Sequence, residues 1–242
     1  SQVMADRYTY FPQIGLAIIL AWGVPALIKN EKIRKTILFP TTVAFIVLVI
    51  LITWKQCGYW KNDATLFKHT LRVTKNNYLA HNNLGAYFFE SGQYKDALYH
   101  FNKAIVIKPD YFSVYINRGN TFYNLGQYPL FIDDYTKALS LKKDYAEGYF
   151  NRGNGYYILG NYQKSISDYD TAITLKPDFA DAYNHRGTIY YNKLNEHQKA
   201  IDDYNKAITL KPDFADAYHN RAFVYLNQEN RLSGCRDARK AC

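Results

Sequence analysis

Asp133 with Asp134, Asp168 with Asp170, and Asp202 with Asp203 are the residues of this 242-residue chain that most resemble catalytic equipment. Two carboxylates held at a cleft with separated pKa values can divide general acid and general base work. Six histidines, His69, His81, His100, His185, His197 and His219, could ligate a metal, but none stands in HExxH or a comparable spacing. No histidine falls with a Cys or Ser in a recognisable triad order, and neither GxGxxG nor GxxxxGKS/T occurs, so nucleotide binding has no support. Cys57, Cys235 and Cys242 are too few for a disulfide framework and form no CxxC. On one helix Cys235 and Cys242 would lie about 10 Å apart, too far to bridge. The sequence therefore predicts no catalytic residue, no metal, and no cofactor, small-molecule cofactors included.

The carboxylates recur because the chain repeats. "ITLKPDFADAY" stands at residues 173–183 and again at 208–218, with looser copies from Leu139 and Ile105, so the steps are 34, 34 and 35. A fixed period in this range marks stacked supersecondary units. Units begin at Tyr78, Phe112, Ala146, Ala180 and Ala215, with one extra residue near Lys193. Position 8 is Gly85, Gly119, Gly153, Gly187 and Ala222, and position 27 is Ala in all five units. Small side chains there let two helices approach, and the aromatic at position 24 (Phe101, Tyr135, Tyr169, Tyr204) fills the space beside them. Gly92, Gly126 and Gly160 are expected at the turn between helices, Pro109, Pro177 and Pro212 end the second helix, and Asp110, Asp178 and Asp213 are expected to cap the next first helix. Phe131 and Ser165 stand at position 20, where other units have Ala97 and Ala200, and are expected to loosen their units.

Two constellations stand out against this frame. Position 7 is Leu84 in the first unit and Arg118, Arg152, Arg186 and Arg221 thereafter; position 23 is His100 first and then Asp134, Asp168, Asp203 and Asp237. Arginine and aspartate arrive together, which predicts one ion pair joining the two helices of each later unit; the alternative is that duplication carried both residues along without contact. An unpaired guanidinium on that face would cost several kcal/mol, of order ~3. The second constellation is a row of amides on the first helices: Asn82, Asn83, Asn117, Asn120, Asn151, Asn154, Asn184 and Asn220. Such a ladder can donate and accept along an extended peptide; each amide could equally serve local backbone or face water. A net charge of +9 with 24 tyrosines would suit single-stranded nucleic acid. The tyrosines fall at packing positions and lysine is interleaved with aspartate, so no nucleic-acid partner is expected.

The repeat pattern resembles the tetratricopeptide repeat (TPR), a helix–turn–helix of 34 residues, over residues 78–242. The resemblance implies an all-α, right-handed α-solenoid with a half-repeat, four repeats and a truncated fifth, whose first helices line a concave protein- or peptide-binding side.

The first sixty residues differ in kind. Residues 11–28 and 36–54 carry no charge, and each is close to the ~20 residues that cross a bilayer. They predict a transmembrane hairpin at 11–55, integral to a membrane, preceded by an extracytoplasmic loop at 1–10 and followed by a linking helix at 56–77. The basic loop "KNEKIRK" between the spans puts the loop in the cytoplasm and the repeat array outside it, periplasmic or lumenal. "MADRYTYFPQIG" with the two spans and the "W…TLF…T" helix resembles the end of transmembrane-and-TPR proteins related to protein O-mannosyltransferases. In that family the sugar-transfer residues lie in earlier membrane segments, so the expectation is a membrane-anchored scaffold that binds proteins or peptides, the alternative being the substrate-holding end of a polytopic lipid-linked-sugar glycosyltransferase, with the chain a piece of a longer protein.

Overall fold

The computed structural model describes residues 31–33, 35–36, 39–59 and 62–241. Apart from a single turn at Glu31–Ile33, twelve helices follow one another among the described residues: α1 Phe39–Tyr59, α2 Asp63–Val73, α3 Tyr78–Glu90, α4 Tyr94–Ile107, α5 Phe112–Asn124, α6 Tyr128–Leu141, α7 Ala146–Ile158, α8 Tyr162–Leu175, α9 Ala180–Asn192, α10 His197–Leu210, α11 Ala215–Asn227 and α12 Arg231–Ala241. No strand occurs among them. The chain divides into two compact units, Ser1–Tyr87 and Phe88–Cys242. The division falls inside α3.

In the first unit α2 begins at the N-cap Asn62, whose side chain accepts from the Thr65 amide at 2.9 Å. The expected span at 11–28 lies outside the described residues. The expected span at 36–54 falls largely on α1, and among the described residues no helix is long and apolar enough to cross a membrane. Its unbroken apolar run, residues 43–52, is flanked by Thr41, Thr42 and Thr53 and falls well short of the ~20 residues a span needs. That run is nevertheless exposed, from Val43 at 43% to Ile52 at 58%, with Trp54 at 81%.

The second unit is a solenoid in which each helix packs on the next. Its turns are chemically exact about handedness. Gly126 takes φ +70 while its amide reaches Tyr123 O and the Gln127 amide reaches Phe122 O at 2.8 Å. Gly160 repeats this at φ +75, the Asn161 amide reaching Tyr156 O. This Schellman closure satisfies the last carbonyls of the helix and needs a left-handed residue. In the later units Asn195 (φ 55) and Glu229 (φ 61) supply it. The extra residue near Lys193 is absorbed here, where the Glu196 amide reaches back to Tyr190 O.

At the other end of each unit the expectation fails. The N-cap positions are Tyr111, Tyr145, Phe179 and Phe214, without a side-chain cap bond, not the aspartates after proline. The turn itself is the reason. The Phe179 amide closes on Lys176 O at 3.1 Å, and Asp178 meets α9 through its backbone carbonyl, which accepts from the Ala180 amide. The aromatic ring at the cap then packs, Phe179 lying 4.9 Å from Phe150.

The core follows the period. Tyr135, Tyr169, Tyr204 and Phe101 are among the largest fully buried side chains. A Cβ on Gly119 would sit 3.0 Å from Tyr135, on Gly153 2.8 Å from Tyr169, and on Gly187 2.9 Å from Tyr204. The three glycines thus occupy equivalent close contacts. Phe131 does not loosen its unit: it is 2% exposed and its ring enters the space a Cβ on Gly155 would take, at 2.6 Å.

Candidate peptide-binding groove

The four arginines are held first, because they fix how successive units register. Arg118 donates through Nε and Nη2 to Asp134 at 2.8 and 2.6 Å, and Arg152 to Asp168 at 2.8 and 2.7 Å. Arg186 forks onto Asp203 at 2.9 and 2.6 Å, and Arg221 onto Asp237 at 2.7 and 2.9 Å. The structure therefore brings each arginine onto the aspartate sixteen or seventeen residues later, between the two helices of its unit. Each guanidinium also lies between two aromatic faces of its own helix, Arg152 between Tyr149 and Tyr156 for example. Burial raises the pKa of Asp134 and of Asp203, against the opposing pull of Arg118 and Arg186.

A third partner escaped the sequence reading. The remaining Nη1 of each arginine reaches back into the preceding unit: Arg118 to Asn102 at 2.6 Å, Arg152 to Thr136 at 3.1 Å, Arg186 to Asp170 at 2.5 Å, and Arg221 to Asn205. These acceptors all occupy position 25. The signal was present, since every unit that precedes an arginine has a hydrogen-bond acceptor there.

The amides divide. Asn82 and Asn83 lie on α3 in the first unit, Asn82 buried and donating to Asn83 Oδ1 at 3.4 Å. In the second unit Asn120 Oδ1 accepts from Tyr135 Oη at 2.7 Å, and Asn151 donates to the same hydroxyl at 3.2 Å from the next unit. Asn154 Oδ1 accepts from Tyr169 Oη at 2.6 Å. Asn220 donates to Asn184 Oδ1 at 3.0 Å, one unit to the next. Asn117 is half-buried and its carbonyl accepts from Thr121 Oγ1. Part of the row therefore ties the core tyrosines in place.

Three of these amides also line an open groove of about 430 Å³, Asn154, Asn184 and Asn220, together with Tyr123, Tyr157, His185, Thr188 and Asp216. A second hollow of about 390 Å³ shares Asn220 and adds Tyr191, Asn192 and Phe223. Asn117, Asn120 and Asn151 do not line either hollow. The tyrosine faces were missed as groove residues because their spacing reads equally as packing. His185 lies edge-on to Phe150 at 5.1 Å; partial burial lowers its pKa, and Asp181 and Asp216 pull it back up. Among the described residues no His, Cys, Asp or Glu cluster could hold a metal ion.

Comparison with known proteins gives a consistent picture. The sequence profile described as "TPR repeat" matches residues 85–126, 119–157, 153–193 and 191–229. The chain is 31% identical over 108 residues, 45% of its length, to Protein O-mannosyl-transferase TMTC3 of Mus musculus, and 28% identical over 108 residues, 44% of its length, to TMTC1 of the same organism. Each match spans 12% of those relatives' own length. Among solved structures, MamA superposes with TM-score 0.62 at 27% identity, covering 65% of this chain and 92% of that one. YrrB, "a TPR protein with an unusual peptide-binding site", superposes with TM-score 0.63 at 20% identity over 74% of this chain and 91% of its own, which speaks to fold alone.

Proposed function

From a chain that belongs to the TPR repeat family, we propose a membrane-attached scaffold that holds an extended segment of a partner protein along its first helices. The groove carries the reading. Asn154, Asn184, Asn220 and Thr188 offer donors and acceptors beside the rings of Tyr123 and Tyr157, within one open channel lined by four successive units. That arrangement suits a polypeptide backbone, which needs both hydrogen-bonding senses at regular intervals and tolerates aromatic faces beside its side chains. No residue of the array is assigned a catalytic step.

Attachment to a membrane is supported by α1, whose side chains from Val43 to Trp54 expose an apolar surface that water solvates poorly. The basic loop of residues 29–35 supports an array on the extracytoplasmic side. The O-mannosyl-transferase relatives favour a second reading, in which this chain is the substrate-holding arm of a larger sugar-transferring membrane protein.

Selection of a random peptide library on the intact chain, followed by fluorescence anisotropy with the enriched peptides, tests the scaffold. Tyr157→Ala and Thr188→Arg should each weaken binding by about tenfold, equivalent to about 1.4 kcal/mol, while Val106→Ala, at an exposed position of α4, leaves it unchanged. Undiminished binding by both groove variants would contradict the reading.

A further inference from the structure

The distribution of charge narrows what the groove accepts. Within α5, α7, α9 and α11, the four first helices of the second unit, there is no lysine. Their only cations are Arg118, Arg152, Arg186 and Arg221, each already forked onto an aspartate. The lysines of this unit lie instead on its second helices and connecting turns. The same first helices carry an acid at position 2 in three consecutive units: Glu147, Asp181 and Asp216. Glu147 is neutralised by Lys176 at 3.0 Å. Asp181 and Asp216 are exposed and belong to no ion pair among the described residues. Asp216 lines the groove, and His185 lies in the field of both carboxylates. First helices whose arginines are all committed, and whose Asp181 and Asp216 stand in no close ion pair, present that face to positive charge, with Lys176 acting on Asp181 only through space while it holds Glu147.

Resting on the scaffold reading above, we infer that the groove takes an extended protein segment bearing Lys or Arg, whose cation seats against Asp216 and Asp181. An acidic segment would meet these carboxylates with no cation free to offset them. A neutral polar segment would use the amides and leave the carboxylates unused.

The library selection separates the possibilities when the composition of the enriched peptides is read. The structure calls for enrichment in Lys and Arg, about fivefold weaker binding of those peptides to Asp181→Asn/Asp216→Asn, and further weakening as salt rises. Asp216→Lys should move the selected pool toward acidic peptides. Both positions are exposed, so thermal melts of these variants should match the parent. Enrichment of neutral or acidic peptides that Tyr157→Ala still abolishes overturns this inference and leaves the scaffold reading standing. No enrichment at all overturns both.

Discussion

Each arginine at position 7 is a half-buried cation with three commitments, and the third differs from unit to unit. Arg152 has one carboxylate, Asp168, plus the hydroxyl of Thr136; Arg186 has two carboxylates, Asp203 and Asp170. Removing the only counter-charge of a partly buried cation costs much more than removing one of two. Asp168→Asn should therefore lower stability by about 3 kcal/mol, and Asp203→Asn by roughly half of that. Urea melts of the two variants side by side decide it; equal losses would show that Asp170, half exposed at 52%, contributes nothing. The intra-unit pairing was legible because Arg and Asp are jointly absent from the first unit. The backward bond was not, because acceptors at position 25 vary in type among Asn, Thr and Asp. The amide row was half legible. Sequence places Asn120, Asn151 and Asn154 on one side, but only coordinates show that their polar groups are engaged by Tyr135 and Tyr169.

Neighbouring helices fit by exchange of volume. Position 20 of one unit faces position 10 of the next. Phe131 is large where Gly155 is absent of side chain, whereas Ala200 is small and clusters with the buried Val224. Read alone, Phe131 looks like a departure from the repeat; read with Gly155, it is one half of a compensated pair. Phe131→Ala should cost about 3–4 kcal/mol by leaving a cavity. Gly155→Val should cost about 1–3 kcal/mol by overpacking against the ring. The double variant should recover most of both losses, as a thermal denaturation cycle would register. Additive losses would mean the two residues do not share the space. The helix ends show the opposite lesson. Asp110, Asp178 and Asp213 have the right chemistry for caps, yet a tight turn after proline places an aromatic at the N-cap, and burying Phe214 (7% exposed) outweighs one exposed hydrogen bond.

At the scale of the second unit, a period of about 34 residues suffices to specify a stack, because one helix pair cannot cover its own apolar face. Proximity of Gly119, Gly153 and Gly187 to successive core rings shows that the phase in the sequence is the phase in space. The groove was less legible, since its tyrosines repeat with the same period as the core. The stack is joined from unit to unit by the arginine bonds and by the Asn184–Asn220 amide pair, so its inner face is ordered before any ligand arrives. A preordered face loses little entropy on binding. The measurement that bears most directly on this account is amide hydrogen exchange on the intact chain, with and without a selected peptide. Slowed exchange concentrated in α7, α9 and α11, with α6, α8 and α10 little changed, is the predicted result. Protection confined to the second helices or to α1, with α7, α9 and α11 unaffected, would contradict the claim that the first helices form the binding face.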